Sequence, residues 1–514
     1  MNKNKDKIIY LFIVTITLLI MVMGTTYSLF SLTATGKTKN IITTAIYKSP
    51  TIQKIASSSY NEELWQYKSS ITKVVFQNNI EPIENASYDY DISANDDGGV
   101  MAYLVLNDDS TTYTAYIQAN DNILANENSS YLFYGFTKLT SLEGLEYFDT
   151  SNATNMKSMF QNCSSITNID LTNFNTSLVE NMALMFYGCK LAETINVSSF
   201  DTSKVVDMHD LFVNCTSLKE AILTNFDLSS AKDIHSLFNG CTGLTKVDLS
   251  SFDTTTVTDI AYMFNNCDSL TSLDLSNFTT TNVIIASHFI YSLDNLTTLI
   301  LGENMTFENA TDTSYLISEN HKLENLDASH INPKNSTNMQ SMFSGLWVAK
   351  TLVLSDNFTT PKSTNMKNMF AGANKITELN LKNFDTSNVT DMSYMFEGLY
   401  SITELNLSKF DTKNVKSMKN MFNYSYKIKN LDLSNFTTLN TTDMSGMFSN
   451  MWYLSTLDLS NADFTNVTSY TNMFTANTGQ NLNITVKNDS ALEFIQTRLN
   501  DVSNTSTVTK ATTN

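Results

Sequence analysis

The chain is predicted to be a leucine-rich-repeat-like solenoid with a parallel β-ladder and short helical turns. The reading is about 13–14 coils, preceded by a small β-rich cap and an N-terminal hydrophobic helix. Two observations carry it. With Phe264 as origin, counterparts recur at Phe133, Phe160, Phe186, Phe212, Phe238, Ile290, Ile317, Phe343, Phe370, Phe396, Phe422, Phe448 and Phe474, every interval being 26 or 27 residues. The segment after the mark also carries the spacing L-x-x-L-x-L, as in Leu270, Leu273 and Leu275 after Phe264. In a strand that spacing puts Leu273 and Leu275 on one face and Asp274 on the other.

Residues 1–33 read as a signal peptide or a membrane anchor. Lys3, Lys5 and Lys7 precede an uncharged apolar run from Ile8 to Met23, the form of an export signal. The run is shorter than the ~20 residues a full span needs, but continuing to Phe30 lengthens it. Either way the lysines stay inside and the repeats lie outside.

Residues 34–128 read as a β-rich N-terminal cap. ITKVVF (71–76), VMAYLVL (100–106) and YTAYIQA (113–119) alternate as strands do, and DDGG (96–99) and DDS (108–110) are turn material. Such a cap would cover the open edge of the first coil. Asp89, Asp91, Asp96 and Asp97 invite a calcium reading but lack the loop glutamate of an EF-hand, so turn chemistry is the expectation. Residues 129–478 form the repeat region, and 479–514 a C-terminal cap strand and polar tail that reads as disordered after about Asp501.

Within a coil, Asp and Ser of the D-T-S segment (Asp385 onwards) suit a turn. Val389, Met392, Met395 and Phe396 make a second inward set, expected as a short helical turn. One coil alone buries too little apolar surface to offset ordering its backbone, so stability must come from coil-to-coil interfaces.

Four columns are candidates for chemistry. Cys163, Cys189, Cys215, Cys241 and Cys267 lie three residues after the mark; a parallel ladder does not converge them on a metal. They read as an apolar core position, with a disulfide between adjacent rungs open to a chain outside the cell. His209 and His235, one coil apart, are compatible with a metal or pH-sensing pair. They are expected to be surface polar residues, so no metal site is assigned. The outward strand column (Asp170, Asn196, Ile222, Asp248, Asp274, Ile300, Asp327, Val353, Asn380, Asn406, Asp432, Asp458) is mostly polar and weakly acidic; it could hydrogen-bond an extended ligand, but a merely wettable face is the expectation. Four residues after the mark stand Trp347, Tyr400, Tyr426 and Trp452 in the later coils, where early coils have Thr137, Ser164, Thr216 and Asp268. An exposed aromatic row suits a saccharide or a protein partner; folding over smaller neighbours such as Ala373 and Ser425 is the other reading.

The formal charge is −19, with 51 acidic against 32 basic residues and Arg498 the single arginine, which argues against a nucleic-acid partner. No G-x-S-x-G, H-E-x-x-H or glycine-rich phosphate loop occurs. An enzyme is therefore not expected; a hydrolase using carboxylates is the alternative, and a structural surface spacer a further one. No cofactor is expected.

The unit M-x-x-M-F-x-x-C-x-x-L-x-x-L-D-L-S-x-F-D-T-S-x-V-T-x-M resembles the repeat of BspA-like leucine-rich-repeat surface proteins of bacteria. MKSMFQNCSSITNIDLTNFNTS (156–177) and MSYMFEGLYSITELNLSKFDTK (392–413) carry the resemblance, and SSYLFYGFTKLTSLEGLEYFDTS (129–151) is similar to a first repeat of that family. The resemblance spans roughly 125–478 and lapses between about 283 and 361, a segment that reads as a bend, an irregular coil pair or a ligand site. It implies an extracellular, cell-surface adhesin whose partner is a host matrix protein, a bacterial surface protein or a saccharide, held to the membrane through its N-terminal segment or secreted. It brings no catalytic residues.

Overall fold

A computed structural model describes residues 54–56, 65–223, 225–477, 482–502 and 505–511. They wind into a parallel β-solenoid of about 15 turns. Its continuous spine is a column of single-residue parallel bridges running Asn128, Asn155, Asn181, Asp207, Asp233, Asp259, Ile285, Asp312, Asn338, Asn365, Asp391, Ser417, Asp443 and Ser469. The apolar stretch expected as an N-terminal helix, Ile8–Met23, lies outside the described residues. Among those described, no helix is long and apolar enough to cross a membrane.

The coil running on from Asn155 shows why this sequence folds this way. Met156, Met159, Phe160, Cys163, Ile166, Ile169, Leu171, Phe174 and Val179 are all buried. The N–H groups of Met156, Ser158, Phe160 and Asn162 donate to the carbonyls of Asn181, Ala183, Met185 and Tyr187 in the next coil, at 2.9, 2.8, 2.9 and 2.7 Å. The N–H groups between them, of Met159, Gln161 and Cys163, close turns on Met156, Ser158 and Phe160. Alternate amides therefore point along the solenoid axis.

This corrects the expected helical turn. Met156 and Met159 have the three-residue spacing of a helix face, but Ser158 and Asn162 sit at φ 57° and 63°, in the left-handed region that no right-handed helix contains. The second of these positions is glycine or asparagine in most coils (Gly188, Asn214, Gly240, Gly345, Gly372, Gly398, Asn450), the residues that adopt this conformation most cheaply. The coil is accordingly a β-solenoid coil, not a helix-bearing leucine-rich-repeat coil.

Phenylalanines at the mark stack along the core. Phe133, Phe160, Phe186, Phe212, Phe238 and Phe264 follow one another at centroid distances of 5.2 to 5.9 Å, and Phe343, Phe370, Phe396, Phe422, Phe448 and Phe474 repeat the stack at 5.4 to 6.1 Å. Each buried ring is worth roughly 2–3 kcal/mol. Ile290 and Ile317 interrupt the stack but keep the ladder: they pair with each other in parallel, as do Tyr291 and Ser318 beside them. The segment from 283 to 361 thus continues the solenoid.

The cysteines are buried and unbridged. Each donates its thiol to the carbonyl of the preceding coil's marker phenylalanine, at 3.0 to 3.2 Å. Asn320, Ser425 and Asn477 occupy the same position later and donate to the carbonyls of Ile290, Phe396 and Phe448. The column is a buried core position, as expected; Phe136, Leu293, Leu346, Ala373, Leu399 and Met451 fill it with apolar side chains, and where Cys, Asn or Ser stands there the side chain also donates across the coils. Burial pushes the thiols up, Cys189 and Cys241 to about 12.

Before the first coil lie β1 (Ile71–Gln77), β2 (Ala86–Asp91), β3 (Val100–Leu106) and β4 (Tyr113–Ala119). A two-residue strand, β5 (Ile123–Leu124), and the first coil's strand, β6 (Ser141–Glu143), follow. The sheet order is β2-β3-β4-β1-β6, with β1 parallel to both β4 and β6. β1 takes the place an earlier coil's strand would hold, and Phe76 stacks on Phe148 at 4.8 Å. The acidic cluster does turn chemistry: Asp91 Oδ1 accepts from the Ser93 N–H at 2.9 Å and its Oδ2 from the Gly98 N–H at 2.7 Å.

At the other end Asn483–Val486 pairs with Thr456–Leu459 and then with Thr507–Lys510. Between them α1 (Asp489–Asn500) buries Ala491, Ile495 and Leu499. The tail expected to be disordered after Asp501 therefore carries a strand, because Thr-Val-Thr has β propensity and an open parallel edge to join.

Candidate binding surface

Of the four aromatic residues of the offset-four column, Trp347 and Trp452 are exposed and Tyr400 and Tyr426 partly so. Tyr400, Tyr426 and Trp452 form an unbroken stack, with centroids 5.1 and 5.3 Å apart and planes within 23°. Trp347 lies apart from them, because the intervening coil has Asn374 at that position. His321, one coil earlier, stacks on Trp347 at 3.8 Å. Trp347 and Trp452 are each 49 % exposed, and Tyr424 and Tyr453 beside them are exposed as well.

The alternative of rings folding inward to complete the core does not describe the two tryptophans. The core beneath is closed without them: Leu346, Ala373, Leu399, Ser425 and Met451 are already buried. The stack covers ring faces with one another, and burial pushes the Tyr400 phenol up.

Trp347 reaches over the next coil to Gly372, where a Cβ would lie in ordinary contact 3.5 Å from the indole; glycine stands there because φ is 75°. Glu397, below this strip, is half-buried, accepts from Asn423 Nδ2 at 2.7 Å and is pushed up by burial.

A second stack, at the position two before the mark, escapes the sequence reading. His288 lies between Tyr262 and Tyr315 at 4.4 and 4.3 Å, and Tyr291 meets it edge-on at 5.1 Å. Burial pushes the His288 imidazole down, and its Nδ1 is buried without a partner. The signal was present in the column Tyr131, Tyr262, His288, Tyr315, Tyr394, but these residues also carry positive φ.

His209 and His235 stack in parallel at 4.9 Å. Each Nδ1 meets a carboxylate of its own coil: Asp207 Oδ1 at 2.6 Å and Asp233 Oδ1 at 2.7 Å. The outward strand column is occupied locally. Asp248, Asp274, Asp327, Asp432 and Asp458 each accept the N–H of the serine two residues on, at 2.8 to 3.0 Å.

Fold and surface together define a repeat-solenoid protein that displays columns of like side chains to solvent. The chain belongs to the family described as "Mycoplasma protein of unknown function, DUF285", whose model matches residues 120–194, 189–303, 271–378 and 364–488. No curated protein and no solved structure matches the chain.

Proposed function

We propose that the protein is a cell-surface binding or adhesion protein that presents its solenoid to a protein or saccharide ligand, with Trp347, Tyr400, Tyr426 and Trp452 as the contact strip. The observation that supports this best is the Tyr400–Tyr426–Trp452 stack, whose two tyrosines are partly exposed and whose Trp452 is half exposed, with exposed Tyr424 and Tyr453 beside it. Large aromatics on a rigid scaffold lose little entropy on binding and dominate recognition energetics. The motif likeness to BspA-like surface proteins, together with the lysine-then-apolar N-terminus, supports an extracellular location with membrane attachment or secretion.

Glycan and matrix-protein arrays probed with the full chain test the reading. Trp347→Ala combined with Trp452→Ala should weaken capture of an array hit by about tenfold or more. The same pair should move the melting temperature by no more than a few degrees, because both rings are half exposed. Silence on every array, or equal capture by the double variant, refutes the strip as the contact.

A further inference from the structure

We infer that Asp207, His209, Asp233, His235 and Asp259 form a site for a divalent transition-metal ion between adjacent coils. The site lies outside the aromatic strip and does not depend on it. It revises the reading of the two histidines as plain surface polar residues.

One ligand atom each from Asp207, His209 and Asp233 lie within 4.8 Å of one another, and so do those of Asp233, His235 and Asp259. The two triads share Asp233. All five side chains are half-buried. The near-parallel histidine rings, 5° apart in plane, place like nitrogens one rung apart. Asp210 Oδ1 also approaches His235 Nε2, at 3.9 Å.

The repeat supplies the control that isolated geometry lacks. In coil after coil the residue at the bridge position accepts a backbone N–H two residues on: Asn155 from Lys157 and Asn181 from Ala183, as Asp207 does from His209 and Asp233 from His235. Asparagine makes that turn as well as aspartate, so the turn does not require charge. Yet three consecutive coils stack carboxylates at this position, roughly 4.8 Å apart, and the two histidines both stand beside them. The lysine next in sequence, Lys232, turns its Nζ to the Thr256 carbonyl at 3.2 Å. Four carboxylates and two imidazoles gathered on one face are a charge arrangement that a divalent cation would offset.

Mixed imidazole and carboxylate donors select Zn²⁺, Ni²⁺, Co²⁺ and their neighbours over Ca²⁺ or Mg²⁺. The Nδ1 to Oδ1 spacings of 2.6 and 2.7 Å are those of a shared proton. An ion replacing that proton needs its ligands roughly 3.3 Å apart at bond lengths near 2.1 Å, a small widening of two surface side chains. The consequence would be a clamp between coils at the spine.

Full-length protein stripped with a chelator is titrated with Zn²⁺ by calorimetry, and with Co²⁺ by visible absorption. Saturable binding of one or two ions per chain is expected, with the d–d bands of a nitrogen-containing Co²⁺ site. Asp233→Asn, which removes the shared ligand but keeps the turn as Asn155 and Asn181 do, should weaken Zn²⁺ at least tenfold. His209→Ala with His235→Ala, which supplies the side chain that Ala183 and Ala261 already place at this position, should do likewise and abolish the bands. Asp443→Asn, at the same position but with Ser445 where a histidine would stand, should change nothing. Absence of saturable Zn²⁺ binding by the wild-type chain, or unchanged affinity in Asp233→Asn, overturns the site.

Discussion

At the scale of single residues, the D-T-S threonine shows how the repeat reconciles a polar side chain with a dry interior. Thr176, Thr202, Thr386 and Thr412 are buried to 1 % exposure or less. The Thr202 hydroxyl donates to the Asp227 carbonyl at 2.9 Å and accepts from the Asp227 N–H at 2.8 Å, bridging to the next coil. Thr176 does the same with Asp201, Thr386 with Asp411 and Thr412 with Thr437. One hydroxyl thus satisfies both backbone polar groups of a residue at a bend where no strand partner is available. Thr202→Val keeps the shape and adds apolar surface, yet it strands a buried N–H and C=O. It should destabilise the protein by about 2 kcal/mol or more, measured as a shift of the urea midpoint at unchanged slope. Equal or greater stability would show that water enters the bend. The sequence made the threonine visible as a repeat position and suggested only a turn. Its burial was hidden, because composition alone does not distinguish a solvated hydroxyl from one that caps the next coil.

At the scale of the element, the legible part was apolar and the illegible part was backbone. The marker phenylalanines, the leucines of L-x-x-L-x-L and the burial of Cys163 to Cys267 could all be read from spacing, as could strands at 71–76, 100–106 and 113–119. The Met-Phe segment misled because a three-residue periodicity is shared by a helix and by a run of linked turns. Only the glycine and asparagine at Gly188, Asn214 and Gly240 distinguished them, and their meaning depends on knowing that alternate amides reach across coils.

The Asx turns of the coil also set a pH response. Asp201, Asp248, Asp327, Asp432 and Asp463 are each held below the ordinary carboxylate value, first by a Ser or Thr hydroxyl donating to them and then by a backbone N–H. Their folded values lie below the unfolded one, so their contribution is full above roughly pH 4 and is lost as pH falls through the folded values. Burial holds Asp268 and Glu397 above the ordinary range, so these two gain on protonation as pH falls from neutral. The melting temperature, followed with chelator present, should pass through a shallow maximum in mild acid and drop below about pH 4. A rise continuing to about pH 3 would contradict the assignment of these turns.

At the scale of the whole molecule, the organising fact is that each coil is held by its neighbours. The spine from Asn128 to Ser469 never breaks, whereas the strand column pairs mostly in twos, such as Ser272–Leu275 with Thr298–Leu301 and Asn325–Ala328 with Thr351–Leu354. Continuity therefore resides in the spine, reinforced by the threonine bridges and by the phenylalanine stack on either side of Ile290 and Ile317. A molecule built in this way should tolerate the loss of a period and not of a fraction of one. Removing residues 155–180 joins Thr154 to Asn181 and offers Asn128 a new bridge partner of the same kind. Phe133 then meets Phe186, and Thr150 meets Asp201. The shortened chain should melt in one cooperative transition, lowered by no more than several degrees, with an unchanged circular dichroism line shape. Removing residues 155–167 instead brings Thr154 against Asn168. That places strand residues where turn residues must bridge, and aims Ile169 and Leu171 out of phase with the core. This chain should lose the cooperative transition. If both deletions behave alike, neighbouring coils are not what holds each coil, and the stacked-coil account of stability fails.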